Sequence, residues 1–441
     1  MSQAQRIFFW SITAALGGFL FGFDTAVISG VEQSLQALWH LSVWEHGLTV
    51  SIALIGTVIG SLTGGIPAER LGRKPTLFWI AVLYLLASLG TALAPTWPVF
   101  LVFRFLGGLG VGASSVAAPM YITEISPPKS RGKLVGLFQF NVVLGILIAY
   151  LSNFLLANVG DEPWRWMLGV QALPSLIFLI AVLNVPESPR WLYLKKHDTD
   201  QALTVLQQID PDTAEQTLAA IRASSEQPGL ASARLFSGAY KTPVLLAVLF
   251  AVFNQVSGIN AIIYYAPRIF EMTGLGKNSA LLSSAGVGLI NLIFTLISMN
   301  LIDRYGRRTL MKIGSVGLIV TLGLVARAFY VEDFGLTVPL LLFAYIAFFG
   351  FSQGAVIWVF ISEIFPNEVR ASGQALGSFT HWLMAAIITF TFPYLSEQFG
   401  GGNTFLFFTV MMVLQLVFVL RLMPETKGTS LEGVEKTVFI H

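Results

Sequence analysis

The chain has no cysteine and only five histidines among its 441 residues. Without cysteine, disulfides, thiolate nucleophiles and thiol metal sites are excluded. None of the histidines recur at the i, i+4 spacing that metal ligands on one helix face would show. Nucleophile–base sets and phosphate-binding loops are also missing, so the sequence predicts neither an enzyme nor a metal or cofactor site.

Charge is scarce as well. Charged side chains make up 11% of the sequence, whereas an average soluble domain has about 25%. Hydrophobic residues make up 55%, which indicates that the chain lies in lipid rather than in water. The net charge of +2 gives no reason to expect a nucleic-acid partner. The first apolar segment lacks a cleavage signal, so it is interpreted as a retained helix.

Charges and turn residues divide the chain into twelve apolar segments of about 20 residues, the length that crosses a bilayer. The predicted spans are 7–29, 47–68, 76–94, 99–122, 134–157, 166–185, 243–267, 281–302, 310–328, 338–361, 375–395 and 403–422. The prediction is therefore an all-α membrane protein. Its expected parts are an N-terminal six-helix bundle (1–186), a helical linker (187–241), a C-terminal six-helix bundle (242–423) and a tail (424–441).

The Lys and Arg residues predict the orientation. Most of them lie on one side of the spans, for example at 70–74, 129–133, 190–241 and 304–312. By the positive-inside rule, both termini and the linker are expected in the cytoplasm. Short tails and a short first external loop favour a bacterial inner membrane, and we expect the protein to work as a monomer within the lipid bilayer.

Charged motifs at the cytoplasmic edge occur twice, once in each half. The segment 69–74 returns as 303–308, and Glu124 with Arg131 returns as Glu363 with Arg370. Two related apolar halves are typical of a transporter with its site between them. Basic residues at helix ends can meet carboxylates there. We interpret these charges as a cytoplasmic latch between the bundles, although basic loops can also serve as topology signals alone. The latch residues are Glu69, Arg73, Glu124, Arg131, Glu187, Arg190, Asp303, Arg307, Glu363, Arg370 and Glu425.

Asp24 lies inside the first predicted span, and Arg104 lies inside the fourth. A charge at membrane depth costs a few kcal/mol or more unless it is paired or hydrated, so it usually marks function. Gly108 and Gly112 share a helix face with Arg104 and should allow close helix packing. As a titrating couple, Asp24 would stay ionised beside Arg104 and take a proton when the two separate. A permanent structural ion pair is the alternative.

Amide and aromatic side chains are spread through the other spans. A sugar carries many hydroxyls and no charge, so its site needs amides and aromatic faces. Any single amide could instead hold helices together. We also expect Gly258 and Gly354 to interrupt their helices beside the site. The candidate residues are Gln139, Asn254, Gln255, Asn260, Tyr264, Asn291, Gly354, Trp358, His381 and Trp382.

The loop at 65–74 resembles the loop signature of the major facilitator superfamily. The segments at 186–192, 255–260 and 424–428 resemble its sugar porter family, which includes bacterial xylose/proton symporters and animal glucose facilitators. This resemblance implies proton coupling at Asp24 and Arg104. It also implies sugar binding by Gln139, Gln255, Asn260, Asn291 and Trp358, with Phe21 as an aromatic wall and Tyr264 as an extracellular gate.

The chain departs from the family pattern at a few positions. Asn254 stands where Gln is usual, Ala355 where Pro is usual, and His381 where Gln or Asn is usual. The carried sugar, a hexose or a pentose, therefore stays open. The function predicted is alternating-access import of a monosaccharide with a proton, and the alternative is a facilitator of the same fold. A sugar sensor or a drug exporter is less favoured because the tail is short and the interior is rich in amides.

Overall fold

The structure is a computed structural model that describes residues 2–127, 129–226, 235–365 and 369–427. Regular structure within these ranges is helical and includes no strand, which confirms the predicted all-α fold. The helices of the first half and the linker are α1 (Gln3–Val27), α2 (Glu32–Leu38), α3 (Val43–Thr63), α4 (Gly65–Arg70), α5 (Arg73–Ala92), α6 (Trp97–Ile125), α7 (Arg131–Leu156), α8 (Pro163–Gly169), α9 (Ala172–Leu183), α10 (Pro189–Leu194), α11 (Thr199–Ile209) and α12 (Ala214–Glu226). Those of the second half are α13 (Lys241–Gln255), α14 (Ile259–Met272), α15 (Lys277–Tyr305), α16 (Arg307–Val331), α17 (Thr337–Phe351), α18 (Gln353–Glu363) and α19 (Arg370–Arg421).

Within the described ranges, 11 helical stretches are long and apolar enough to cross a membrane. The first ten correspond one by one to the first ten predicted spans. The last stretch, Ser372–Arg421, has 50 residues and contains Gly400 at φ 75° and ψ 164°. Since this left-handed φ interrupts the helix between 375–395 and 403–422, the stretch holds the last two predicted spans, and the twelve-span prediction is confirmed.

The linker predicted as short helices forms α10, α11 and α12. The side chain of Asp198 caps α11 by accepting the Gln201 N–H at 3.0 Å, and the helix buries one apolar face. The linker residues 227–234 lie outside the described residues, as do residues 428–441 of the predicted tail.

Contacts group the chain into two compact units. Unit 1 takes its described residues from Met1–Val27, Ile52–Ser152 and Asn158–Gly229. Unit 2 takes its described residues from Ile28–Ser51, Asn153–Ala157 and Leu230–His441. The stretch Ile28–Ser51 comes from the first half of the sequence but groups with the second. The division of the membrane bundles at 186 and 242 stays a prediction.

Aromatic packing in unit 2 holds the end of α13 in place. The ring of Phe250 lies 5.3 Å from that of Phe360 on α18 and 6.3 Å from that of Phe418 on α19. These rings belong to one buried apolar cluster. They therefore fix the last turn of α13, which carries Asn254 and Gln255.

The two expected helix breaks have different outcomes. Gly258 has φ 85° and caps α14, so the predicted break there is confirmed. The break in the tenth span is at Ser352 (φ −109°, ψ −92°), whereas Gly354 lies inside α18, so that prediction is wrong by two residues. The hydroxyl of Ser352 donates to the carbonyl of Phe348, one turn earlier, and such back-bonding bends helices.

Candidate functional site

Asp24 on α1 and Arg104 on α6 form a buried ion pair in unit 1. Arg104 Nη1 donates to Asp24 Oδ1 at 2.8 Å, and Arg104 Nη2 reaches the Asp24 carbonyl at 3.4 Å. The side chain of Asp24 is only 5% exposed, and that of Arg104 is only 2% exposed. Among the described residues, Arg104 Nε has no hydrogen-bond partner. The guanidinium is thus held by few contacts for so deep a charge.

Glycines bring α6 close to its neighbour α3. A Cβ on Gly108 would lie 1.9 Å from the carbonyl oxygen of Ala53, and one on Gly112 would lie 2.2 Å from that of Thr57. A side chain at either position would therefore collide with the backbone of α3. The structure therefore confirms the close helix packing that was predicted beside Arg104.

Gln171 is a residue that the sequence analysis did not single out. It is buried between α8 and α9, and its side chain lies beside the Asp24 carboxylate. Tyr84 is also buried next to this site, where its hydroxyl donates to the Gly17 carbonyl at 3.3 Å. The sequence does carry a signal for Gln171, because it is an amide inside an apolar predicted span, like the candidates in the other spans.

Three predicted amides form a hydrogen-bonded chain in unit 2. Gln255 Nε2 donates to Asn254 Oδ1 at 2.9 Å, and Asn260 Nδ2 donates to Gln255 Oε1 at 2.7 Å. Both ring nitrogens of His381 lie 3.3 Å from Gln255 Nε2. The left-handed turn at Gly258 brings this chain together, because it places the first residues of α14 against the end of α13.

Aromatic rings border this amide chain. The Trp358 ring centroid lies 4.8 Å from that of His381, which lies 4.8 Å from that of Trp382. Trp358 is 37% exposed, whereas His381 and Trp382 are nearly buried. An indole face beside amide donors and acceptors suits an uncharged polyhydroxyl compound.

The remaining candidates are distributed over both units. Phe21 on α1 and Gln139 on α7 are half-buried residues of unit 1. Tyr264 on α14 and Asn291 on α15 are buried in unit 2, and Gly354 lies in α18 next to the Phe349 ring. The structure therefore brings together the amides of α13 and α14 with His381, Trp358 and Trp382.

The first charged edge motif forms a tight cluster in unit 1. Arg73 donates from Nε and Nη2 to the two oxygens of Glu124, both at 2.8 Å, and from Nη1 to the Ala68 carbonyl at 2.9 Å. Glu187 accepts the backbone N–H groups of Arg73 and Lys74. Burial raises the pKa of Glu187, although these donors and the Arg73 charge act in the opposite direction.

The second charged edge motif repeats this arrangement in unit 2. Arg307 donates from Nε and Nη2 to Glu363 at 3.1 and 2.8 Å, and from Nη1 to the Ile302 carbonyl at 3.1 Å. Glu425 accepts the backbone N–H groups of Arg307 and Arg308.

Five other latch residues were predicted. Asp303 pairs with Arg307 at 3.2 Å but is largely exposed. Arg370 Nε donates to the Phe365 carbonyl at 3.2 Å. The remaining three, which are exposed, are Glu69, Arg131 and Arg190. Each cluster joins helices of one unit, and the predicted latch between the bundles stays a prediction.

Metal ligands are not assembled anywhere in the part of the chain that the structure describes. There, no group of three or more His, Cys, Asp or Glu residues is placed to hold an ion.

Comparison with known proteins identifies similar chains. The sequence matches the family described as "Sugar (and other) transporter" over residues 10–438. It is 39% identical to the arabinose-proton symporter of Bacillus subtilis (strain 168), over 97% of this chain and 94% of that protein. It is 36% identical to the D-xylose-proton symporter of Escherichia coli (strain K12), over 98% of this chain and 96% of that protein.

Solved structures show the same fold. The inward open conformation of the xylose transporter XylE from E. coli matches with a TM-score of 0.88 and 34% identity, over 98% of this chain and all 100% of that one. The structure of XylE bound to 6-bromo-6-deoxy-D-glucose matches with a TM-score of 0.81 and 34% identity, over 99% of this chain and 100% of that one. These likenesses confirm the predicted major facilitator fold and the resemblance to sugar porters.

Proposed function

Because the chain belongs to the family of sugar (and other) transporters, we propose that it imports a monosaccharide together with a proton by alternating access. Such a protein moves its substrate chemically unchanged, as a transporter rather than an enzyme. The symporters that it resembles are named for arabinose and D-xylose, which are pentoses, and XylE has been solved with 6-bromo-6-deoxy-D-glucose bound; these support a pentose or a hexose as the substrate.

The observation that carries proton coupling is the buried pair of Asp24 and Arg104. One charged contact at 2.8 Å holds the carboxylate, and Arg104 Nε lacks a partner among the described residues. A carboxylate in such a place stays ionised only while the guanidinium is near. When the pair separates, Asp24 binds a proton, and when the pair reforms, the proton leaves.

The sugar is bound by the amides and rings gathered at the ends of α13 and α14. Gln255 bonds to both Asn254 and Asn260 in this structure, so part of the hydrogen-bonding capacity of the three amides is paired without a ligand. A sugar hydroxyl replaces these mutual hydrogen bonds with bonds of its own, while its ring packs on Trp358. Gln139, Asn291 and Phe21 are proposed as further sugar-binding residues, and Tyr264 as an outer gate.

The proposed orientation places both termini and the linker in the cytoplasm of a bacterial cell, with the chain in the inner membrane as a monomer. Its support is the basic character of the segments at 70–74, 129–133 and 304–312. Extracellular sugar and proton then enter together, and both leave on the side of the linker.

Transport in proteoliposomes tests the proposal. Purified protein should accumulate labelled sugar when an inward proton gradient is imposed, and added sugar should trigger proton uptake. Asp24→Asn should abolish accumulation but keep sugar exchange, because Asn can neither bind nor release a proton. Asp161→Asn, which changes an exposed loop residue, is the matched control and should accumulate sugar normally.

Two outcomes would change the interpretation. Accumulation by Asp24→Asn would remove Asp24 from the coupling mechanism. Equal transport with and without a proton gradient in the unmodified protein would make it a facilitator of the same fold. A competition panel of labelled pentoses and hexoses then identifies the preferred sugar.

A further inference from the structure

A second buried cluster of charges lies in unit 2, away from the amide chain. Glu32 begins α2, His46 lies in the first turns of α3, and Arg268 lies near the end of α14. Arg268 donates from Nε to Glu32 Oε1 and from Nη2 to Glu32 Oε2, both at 2.9 Å. His46 Nε2 lies 2.6 Å from Glu32 Oε2. The side chains of Glu32 and His46 are completely buried.

The electrostatics of this cluster keep Glu32 ionised. Burial alone raises the pKa of Glu32, but the hydrogen bond from His46 and the charge of Arg268 outweigh burial and hold this pKa below its usual 4.5. With an ionised carboxylate as acceptor, the short contact requires His46 to donate its Nε2 proton. Arg268 Nη2 also donates to Gln36 Oε1 at 2.7 Å, so a second residue of α2 bonds to the same guanidinium.

Close packing fastens the same stretch of chain to α19. The Trp44 ring stacks on that of Tyr394 with centroids 4.6 Å apart, and it lies 5.5 Å from the ring of Phe390. A Cβ on Gly47 would lie 2.2 Å from the Phe390 carbonyl oxygen. Ion pairs therefore hold residues 28–51 to α14, and aromatic contacts hold the same residues to α19.

The helix that receives the ion pairs also carries two of the proposed sugar-site residues. Asn260 and Tyr264 lie on α14 before a kink at Tyr265 (φ −123°, ψ 19°), and Arg268 lies after it. The Tyr265 hydroxyl donates to the Thr389 carbonyl at 3.0 Å, which anchors the kink. Arg268 and two of the proposed sugar-site residues thus lie on one helix, on opposite sides of an anchored kink.

We propose that Glu32, His46 and Arg268 form an outer lock, which fastens residues 28–51 to α14 and must come apart whenever the sugar site opens to the outside. This inference rests on the proposed alternating-access transport and on the proposed orientation. Residues 28–51 connect α1 with α3, and the rest of both helices belongs to unit 1. Breaking the lock therefore frees this stretch to move with the helices that flank it.

Labelling of a single cysteine tests the lock, since the natural chain has no cysteine to interfere. Val31 is fully buried at the start of α2, next to Glu32, so Val31→Cys should react slowly with a membrane-impermeant maleimide added outside. Adding Glu32→Gln should speed this labelling at least about tenfold, because one partner of a buried charged pair is lost. The double change Glu32→Gln/Arg268→Gln should label more slowly than the product of the single effects predicts.

Asp333→Asn is the matched control. Asp333 is an exposed residue in the loop between α16 and α17 of unit 2, and it takes no part in the contacts of Glu32, His46 and Arg268 given above. Its labelling should equal that of the Val31→Cys parent. Where Glu32→Gln fails to give a monodisperse protein, Arg268→Lys is used instead, because Lys keeps the charge but cannot form the two-pronged contact.

Labelling of Glu32→Gln and Arg268→Lys at the parent rate would overturn the lock, even if proton-driven uptake is intact. Accumulation by Asp24→Asn would instead overturn the proposed symport and leave the labelling result standing. A second experiment places cysteines at Trp44 and Tyr394 and joins them with a cleavable bismaleimide. Uptake should stop on cross-linking and return on cleavage, and full uptake by the cross-linked protein contradicts the proposal.

Discussion

Two arginines of unit 1, Arg104 and Arg73, are both buried and both paired with a carboxylate, yet they are bonded very differently. Arg104 has one charged contact, one long contact to a carbonyl and an unpaired Nε among the described residues. Arg73 uses its whole guanidinium, and its backbone N–H is bonded to Glu187 as well. An arginine whose donors are all satisfied loses much by moving, whereas one with an idle donor can change its partners at lower cost.

The second half of the chain repeats the Arg73 cluster, in which every guanidinium nitrogen is bonded, but it does not repeat the Asp24–Arg104 pair. Arg307 copies the contacts of Arg73, with Glu363 and Glu425 in place of Glu124 and Glu187. Gly22-Phe23-Asp24 of the first half aligns with Gly258-Ile259-Asn260 of the second, so Asn260 holds the place of Asp24, and it bonds to an uncharged amide. The comparison teaches that the repeat is faithful where charges fix helix ends and differs where the proposed transport takes place.

Removing a carboxylate from a fully bonded cluster should have the largest effect on stability. Glu124→Gln leaves the Arg73 guanidinium buried without a counter-charge, so we expect the free energy of unfolding to fall by about 3 kcal/mol or more. Glu363→Gln should act in the same direction on Arg307, but less strongly, because Glu363 is more exposed. Denaturant unfolding in a mild detergent measures both, and a loss below about 1 kcal/mol for Glu124→Gln would contradict the assigned structural role.

Changing the glycines of the two edge loops should have the next largest effect. Gly72 and Gly306 have φ of 109° and 85°, and a Cβ there would lie 2.2 and 2.6 Å from Glu187 and Glu425 oxygens, respectively. Gly72→Ala and Gly306→Ala should each cost about 1–3 kcal/mol, since they add backbone strain and displace the carboxylate. Gly65→Ala is the control, because a Cβ there meets nothing within 4 Å. Equal stability of all three variants in thermal unfolding would contradict the prediction.

Neutralising Asp24 should cost less than neutralising Glu124, although the site is deeper. If Asp24 takes up a proton in each cycle, the fold already tolerates an uncharged group there. We therefore expect Asp24→Asn to lower the free energy of unfolding by only about 1 kcal/mol, the contribution of an ordinary hydrogen bond. Denaturant unfolding of Asp24→Asn and Glu124→Gln under the same conditions measures the difference between their free energies of unfolding. A loss as large as that of Glu124→Gln would instead favour a permanent structural ion pair.

The smallest effect is expected at an exposed pair. Arg165 and Glu162 are 2.7 Å apart but 30% and 48% exposed, and Arg165 also donates to the carbonyls of Ala92 and Ala94. Glu162→Gln should change the free energy of unfolding by less than about 0.5 kcal/mol. The same unfolding assay checks this value. A larger loss would mean that burial and the number of hydrogen bonds do not explain how much each ion pair stabilises the fold.

Helix positions and the edge motifs could be predicted from the sequence because they depend on local properties. A run of apolar residues must span lipid as a helix, since no water is present to satisfy its backbone. Gly258 ends a helix by its own left-handed conformation. The break at Ser352 could not be predicted, because hydroxyls that bond to the preceding turn also occur in unbroken helices, as at Thr13 and Thr57.

Contacts between distant residues could not be read in the same way. Glu32 and Arg268 are 236 positions apart, and neither stands out by sequence, since both are near the ends of apolar segments where charges are common. Gln171 is one amide among several, and only the fold places it beside Asp24. Pairing between such residues follows from the packing of whole helices.

The sequence by itself determined that the chain lies in a membrane, crosses it twelve times and carries matched charges in both halves. These properties follow from hydropathy and from residue types repeated along one chain. Only the tertiary structure decided which carboxylate each arginine meets, that the first-half stretch 28–51 packs with unit 2, and which donors are left idle. The physical reason is that hydrophobicity acts on each segment separately, whereas hydrogen bonds need specific atoms within about 3 Å of each other.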